Sequence, residues 1–183
     1  MKIEAMIPED GMIQDPREWS REGWTTEPEE LEVRKVADAT GPAFKASGKA
    51  WTRGGLALVL VNVAVAPAFV EAVKKQSGQD LTGFKVGVVL LTHLATSYPL
   101  ARFATIEDAA AAVELSESVG DWWEDVDHAL VDKIAAGTAK TPESVMRVSE
   151  VWRAAGFVEI TLPPAEMSCL VMKRQFAAPQ INA

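Results

Sequence analysis

The sequence predicts an α+β fold: a small mixed sheet with a hydrophobic central strand, covered by three helices. Two long segments without a charged residue, 54–70 and 86–101, supply the core. Within the first, valine recurs at every second position and the residues between are also apolar. Such a segment is typical of a strand that is covered on both faces. The region 105–155 instead repeats apolar residues at helical spacing behind capping residues, which predicts the helices.

Residues 1–50 are predicted to form an N-terminal arm, made of a hairpin and a short helix. Alternating apolar residues around a Pro-Glu-Asp-Gly turn predict a hairpin over residues 2–14. Thr26 and Glu29 form a capping-box pattern, which predicts a helix that ends before Gly41. The glycine-containing, mildly basic stretch 43–55 is interpreted as a loop or linker.

Residues 51–176 are predicted to form one α+β domain, followed by a C-terminal tail over 177–183. The predicted strands of its sheet are 56–66, 85–92, 100–104 and a closing hairpin over 157–176. A short helix over 68–76 follows the first strand. Further helices are predicted to begin at Thr105, Asp121 and Thr141. A mostly helical alternative, with 56–76 as one helix kinked at Pro67, stays open because short apolar runs fit both structures.

Composition excludes some classes of function. The formal net charge of −8 disfavours direct binding to nucleic acid. The charge-free segments are too short, and carry too many polar residues, to predict membrane spans. A single cysteine, Cys169, excludes an internal disulfide framework, and the N-terminus lacks the pattern of a secretory signal. We therefore expect a cytoplasmic protein, or one within a soluble assembly.

The densest polar pattern predicts a helix face bearing Asp121, Glu124, His128 and Asp132 at spacings of three and four residues. Carboxylates and an imidazole are possible ligands of a divalent metal. A single helix face, however, lacks the ligands that a second element must add. A solvated face whose early acids suit the positive end of the helix dipole is the favoured interpretation of the pattern. The sequence thus predicts no metal or cofactor site, and it leaves this face as the one alternative.

Nucleophilic catalysis has little support in the sequence. His93 ends a predicted strand, and no nucleophile elbow accompanies it. A turn histidine hydrogen-bonded to its own loop is the simpler interpretation. Cys169 lies between apolar residues, which is typical of an inert core thiol. No catalytic residue is therefore predicted.

Six tryptophans against one tyrosine are the remaining anomaly. Large aromatic side chains outside a predicted core either pack back on their own chain or anchor a partner. Adjacent residues of a helix cannot both point inward, so one member of the Trp122–Trp123 pair should cover a neighbour or a partner. The residues assigned to partner binding are Trp19, Trp24, Trp51, Trp122 and Trp123.

Three classes of function compete. The favoured hypothesis is a non-enzymatic interaction or assembly protein that binds another subunit, either a different protein or a further copy, through its aromatic arm. The alternatives are an acidic protein inhibitor of another enzyme, acting through the 121–132 face, and a small enzyme with an unrecognised metal or cofactor site.

Overall fold

The computed structural model describes residues 19–35, 37, 43–64, 67–83, 85–161 and 170–175. These residues form seven strands and four α-helices, so the predicted α+β class is confirmed. The strands are β1 Glu29–Lys35, β2 Phe44–Arg53, β3 Leu56–Ala64, β4 Lys85–His93, β5 Tyr98–Phe103, β6 Phe157–Thr161 and β7 Leu170–Arg174. The α-helices are α1 Pro67–Ser77, α2 Ile106–Ser116, α3 His128–Ala135 and α4 Glu143–Ala154. Two 3₁₀ turns, Glu117–Val119 and Trp122–Asp125, connect α2 to α3.

All seven strands belong to one mixed sheet, in the order β1-β2-β3-β4-β5-β7-β6. From β1 to β5, each strand pairs antiparallel to the next. β7 then pairs parallel to β5 and antiparallel to β6. The parallel pairing requires a long crossover, and the helices α2, α3 and α4 supply it. The closing hairpin predicted for the C-terminal part is present as β6 and β7.

The sheet curls strongly, so that β1 comes beside β5. The backbone N–H of Arg34 in β1 donates to the carbonyl of Ser97, at the start of β5, at 2.9 Å. The guanidinium of Arg102 in β5 lies 5.6 Å from the ring of Phe44 in β2, three positions away in the sheet order. Gly48 permits the bend, because a Cβ atom at this position would lie 1.8 Å from the carbonyl oxygen of Leu60.

The curl gives the sheet two different faces. The concave face is lined by small and β-branched residues, chiefly Val33, Ala50, Ala57, Val59, Val61, Val88, Leu90 and Val171. The opposite face, here called the helix-covered face, packs against α2 and α4. The core between this face and the helices holds larger buried side chains, which include Trp51, Leu58, Leu91, Phe103, Trp152 and Phe157. Alternate residues of β3 enter alternate cores, as the valine pattern predicted for the described part of this strand.

The prediction was wrong over much of the N-terminal region. The predicted helix after Pro28 is strand β1, and the predicted linker 43–55 contains strand β2. The boundary that we placed after residue 50 falls within β2, which pairs with both β1 and β3. Pairing with a neighbouring strand is a nonlocal contact, and here it overrides the local capping pattern. The hairpin over 2–14 and the tail over 177–183 lie outside the described residues.

The helix signals at Thr105 and Thr141 were sound, whereas the helix predicted from Asp121 is a 3₁₀ turn followed by α3. Thr105 caps α2, accepting a hydrogen bond from the backbone N–H of Asp108 at 3.1 Å. The single kinked helix over 56–76 does not occur, because β3 ends at Ala64 and α1 begins at Pro67. Within the described part of the chain, no helix is both long and apolar enough to cross a bilayer.

Candidate interaction surface

Three of the five tryptophans assigned to partner binding lie in the protein's own core. The exposed fraction is 6% for Trp24, 0% for Trp51 and 2% for Trp122. Trp19 and Trp123 are only partly buried and pack against the edge of the same core. Packing back on the chain was the alternative that the sequence left open, and it describes the three buried side chains. Trp19 and Trp123 remain available to the surface.

Trp122 and Trp123 point in different directions, as the sequence predicted for adjacent residues. The indole N–H of Trp122 donates to the Ser116 hydroxyl at 3.0 Å inside the core. Trp123 instead lies over the turn between β2 and β3. A Cβ atom at Gly55 would come within 2.5 Å of the Trp123 indole nitrogen, so the glycine makes room for this ring.

Residues 19–25 form a segment, here called the strap, that lies across β2 and α2. The Trp19 ring contacts Trp51 edge-on, with ring centres 5.5 Å apart, and Trp24 at 6.1 Å. Its indole N–H donates to the Glu107 carboxylate at 2.7 Å. At the other end of the strap, the backbone N–H of Thr25 donates to the Thr52 carbonyl, and the Thr52 N–H donates to the Thr25 hydroxyl, each at 3.0 Å.

An ion-pair network, here called the Arg–Glu network, fastens the strap to α2. Arg21 holds both carboxylate oxygens of Glu114, at 2.6 and 2.8 Å, and contacts Glu107 at 3.0 Å. Arg53, at the end of β2, contacts Glu117 and lies 3.7 Å from Glu114. The hydrogen bond to Glu114, with the attraction of Glu114 and Glu107, raises the pKa of Arg21. Two-pronged arginine–carboxylate pairs of this kind combine charge with geometric specificity.

This network was not predicted from the sequence. Glu107 and Glu114 are seven residues apart, which puts them on one face of the predicted helix after Thr105. That spacing was visible in the sequence. Their partners were not, because Arg21 lies more than 80 residues away along the chain and reaches α2 only through the folded sheet.

Two buried hydrogen-bond donors lie where the strap packs on β2, one on the strap and one on the strand. Among the described residues, the indole nitrogens of Trp24 and Trp51 are buried without a hydrogen-bond acceptor from the protein. A buried donor without a partner costs about 1–3 kcal/mol. The strap therefore closes over an aromatic cluster that is well packed but incompletely hydrogen-bonded.

The predicted helix face of Asp121, Glu124, His128 and Asp132 does not exist as one face. Glu124 lies in a 3₁₀ turn that Asp121 directly precedes, and α3 begins only at His128. The break arises because Asp127 caps α3, its side chain accepting from the Leu130 N–H at 2.6 Å. Over the described ranges, no three His, Cys, Asp or Glu side chains are placed to hold a metal ion together.

His93 has the environment of a structural turn histidine. It is 6% exposed, and its Nδ1 lies 3.0 Å from the hydroxyl of Thr96 in the turn between β4 and β5. Burial lowers the pKa of His93, and the nearby His128 imidazole lowers it further. His128 therefore lies near enough to His93 for the two charges to interact. Cys169 lies outside the described residues.

An open cleft runs between the first 3₁₀ turn and α4, where Val119, Val151 and Ala154 meet Arg147 and Glu150. Arg147 is already paired with Glu143 at 2.6 Å, so its charge is compensated.

Comparison with protein-family models, curated proteins and solved structures found no match to this chain. The function must therefore be argued from the surface around the strap.

Proposed function

We propose that this protein is a non-enzymatic assembly protein that associates with further copies of itself. The proposed contact is the tryptophan–arginine surface, defined as Trp19, Arg21, Arg53 and Trp123. One observation carries the proposal: two partly exposed tryptophans flank a cluster of arginines on a continuous piece of the molecule. Trp19 contacts Trp51 in β2, and that strand continues through Arg53 to the turn beneath Trp123.

The residue types support this choice. Tryptophan and arginine are the side chains that most often dominate the energy of a protein interface, and they do so when a rim of polar residues excludes water around them. Here the carboxylates of Glu107, Glu114 and Glu117 supply polar groups beside the rings. Both tryptophans are also fixed by their own chain, so little side-chain entropy is lost on binding.

The test is the self-association of a Trp123→Ala variant, measured by sedimentation equilibrium over a concentration series. Trp123 covers a surface turn and is only partly buried, so the variant should fold. We expect its dissociation constant to rise by about tenfold or more, the effect of removing an interface anchor. Circular dichroism and thermal unfolding would confirm that the fold is kept.

Lys75→Ala is the matched control. Lys75 is exposed in the last turn of α1, which lies at the opposite end of the sheet from the β2–β3 turn. This change should leave the dissociation constant unaltered. A wild-type chain that stays monomeric at every concentration, or a Trp123→Ala variant that associates as tightly as the wild type, would contradict the proposed function.

A further inference from the structure

We propose that the strap is exchangeable: in the assembled protein, residues 19–25 of one copy dock on α2 and β2 of another. The inference rests on the proposed function and names the contact by which two copies would associate. The partner of the strap is thus a second copy of this chain, and the acceptor site is the one seen here within a single copy. Such segment exchange is a low-cost route to a dimer, because each contact of the monomer is reused.

The ionic part of the strap's fastening suits exchange because it lies near solvent, while the buried ring of Trp24 would pack in the same way on the second copy. The Arg21 side chain is 30% exposed, and its partners Glu114 and Glu107 are 35% and 64% exposed. Ion pairs at this level of exposure are weakened by salt and contribute modestly to stability. Thr25 and Thr52 share two hydrogen bonds that join the strap to the backbone of the sheet.

The connection between the strap and β1 is short and surface-exposed. Thr26 and Glu27 are exposed, and Pro28 directly precedes the first residue of β1. Moving the strap from its own α2 to that of a second copy requires changed backbone angles only in this connection. The contacts of Trp19 and Arg21 would be the same in both arrangements.

The closed arrangement also carries a cost that eases release. Trp24 and Trp51 bury their indole N–H groups without an acceptor from the part of the chain that the structure describes. Release of the strap gives these donors access to water, which offsets part of the lost packing.

The acceptor site itself indicates a second copy rather than an unrelated protein. Glu114 receives two parallel hydrogen bonds from Arg21, while Glu107 receives the Trp19 indole N–H. A foreign partner would have to present a tryptophan and an arginine with the spacing of the strap. A second copy presents that arrangement without any change.

A cysteine mixing experiment tests the exchange. One full-length variant carries Thr25→Cys and a second carries Thr52→Cys, both with Cys169→Ala. Thr25 and Thr52 share two hydrogen bonds of 3.0 Å, which bring the two residues together as a disulfide requires. After mixing at a concentration where the wild type is associated, followed by oxidation, we expect a covalent heterodimer on a non-reducing gel. Each variant oxidised alone should remain without the covalent bond. The experiment is repeated with Cys169 retained, as a control for any effect of its replacement on folding.

The outcomes separate this inference from the proposed function. A mixture that associates in sedimentation but gives no covalent heterodimer overturns the exchange and leaves self-association standing. A mixture that does not associate overturns both. Glu114→Gln should speed heterodimer formation by about threefold, since it weakens the ion pairs that hold the strap. The matched control Glu143→Gln, which breaks an arginine–glutamate pair on α4, should leave the rate unchanged. Equal rates for both variants would contradict the role given to the Arg–Glu network.

Discussion

The two faces of the sheet are built from different chemistry. The concave face is lined by valine, alanine and leucine and is closed by the curl of the strands themselves. The helix-covered face holds the tryptophans and phenylalanines. It is also where Trp122 and Trp152 donate hydrogen bonds inside the core and where the Arg–Glu network closes the edge.

The concave face is held together by close packing alone. The helix-covered face also depends on specific hydrogen bonds and ion pairs. Small β-branched side chains pack in a curved sheet without needing any polar contact. Aromatic side chains with polar atoms need an acceptor for each donor, and the helix-covered face meets that need unevenly. Association and rearrangement should therefore occur on the helix-covered face, while the concave face should keep its structure.

The largest effect on stability should come from adding a side chain at Gly48, where β2 closely approaches β3 on the concave face. Gly48→Ala would place a Cβ atom 1.8 Å from the carbonyl oxygen of Leu60, a backbone atom that cannot move without shifting β3. We expect the free energy of unfolding to fall by about 3 kcal/mol, which is a severe effect for one methyl group. Urea unfolding would measure it.

Ser47→Ala is the control for this change, since Ser47 is an exposed neighbour on the same strand. It should alter the free energy of unfolding by less than about 0.5 kcal/mol. Equal stability of Gly48→Ala and the wild type would mean that the tight approach of β2 to β3 does not set the curl.

A smaller effect on stability should distinguish tryptophans whose indole N–H is hydrogen-bonded from those whose N–H is not, on the helix-covered face. Trp152 donates its indole N–H to the carbonyl of Ala112 at 2.7 Å, whereas the Trp51 N–H has no acceptor among the described residues. Replacement by phenylalanine removes a similar apolar area at each site. Trp152→Phe also loses a hydrogen bond, while Trp51→Phe removes an unsatisfied donor. We expect Trp152→Phe to cost about 2 kcal/mol more in the free energy of unfolding.

Thermal and urea unfolding of both variants would measure this difference. If Trp51→Phe proved as costly as Trp152→Phe, the contrast drawn between satisfied and unsatisfied donors would be wrong.

The smallest effect concerns pH, because the helix-covered face also buries His93. This residue pairs in the sheet with Leu56 and accordingly shares its face. The pKa of folded His93 is lowered, first by burial and then by His128, so the folded state binds a proton less readily than the unfolded state. Stability should be complete above the ordinary histidine pKa of about 6.5 and should fall as pH drops below it, until the folded pKa is passed.

Urea midpoints across this pH range would reveal the loss, and His93→Asn, which keeps a polar atom near Thr96, should flatten it. Acidic carboxylates contribute a separate dependence at lower pH, which both proteins would share. An unchanged slope in His93→Asn between neutral pH and the onset of that carboxylate region would remove His93 from the explanation.

Particular elements show what could be predicted. The strand at β3 and the cap at Thr105 were predicted because their signals lie within a few consecutive residues. The helix expected after Pro28 was wrong, since its capping pattern is equally local but β2 offered a full set of backbone partners to the same residues. The face from Asp121 to Asp132 failed because Asp127 begins a new helix.

The candidate surface also combines a feature expected from the sequence with features that depend on the fold. The excess of tryptophan led to the prediction of aromatic partner-binding residues, and two of them, Trp19 and Trp123, lie at the edge of the core. Which tryptophans are enclosed, and which arginines meet which glutamates, depended on how β2 and α2 approach one another.

The sequence by itself determined the α+β class, the doubly covered strand β3 and the start of α2, because residue spacing and caps act over a few neighbouring positions. Only the tertiary structure decided that the N-terminal region would form β1 and β2. It also decided that the sheet would curl at Gly48, and that Arg21 would bind Glu114. Those outcomes rest on backbone and ionic contacts between residues far apart in the chain, whose energies exist only once the strands and helices are packed together.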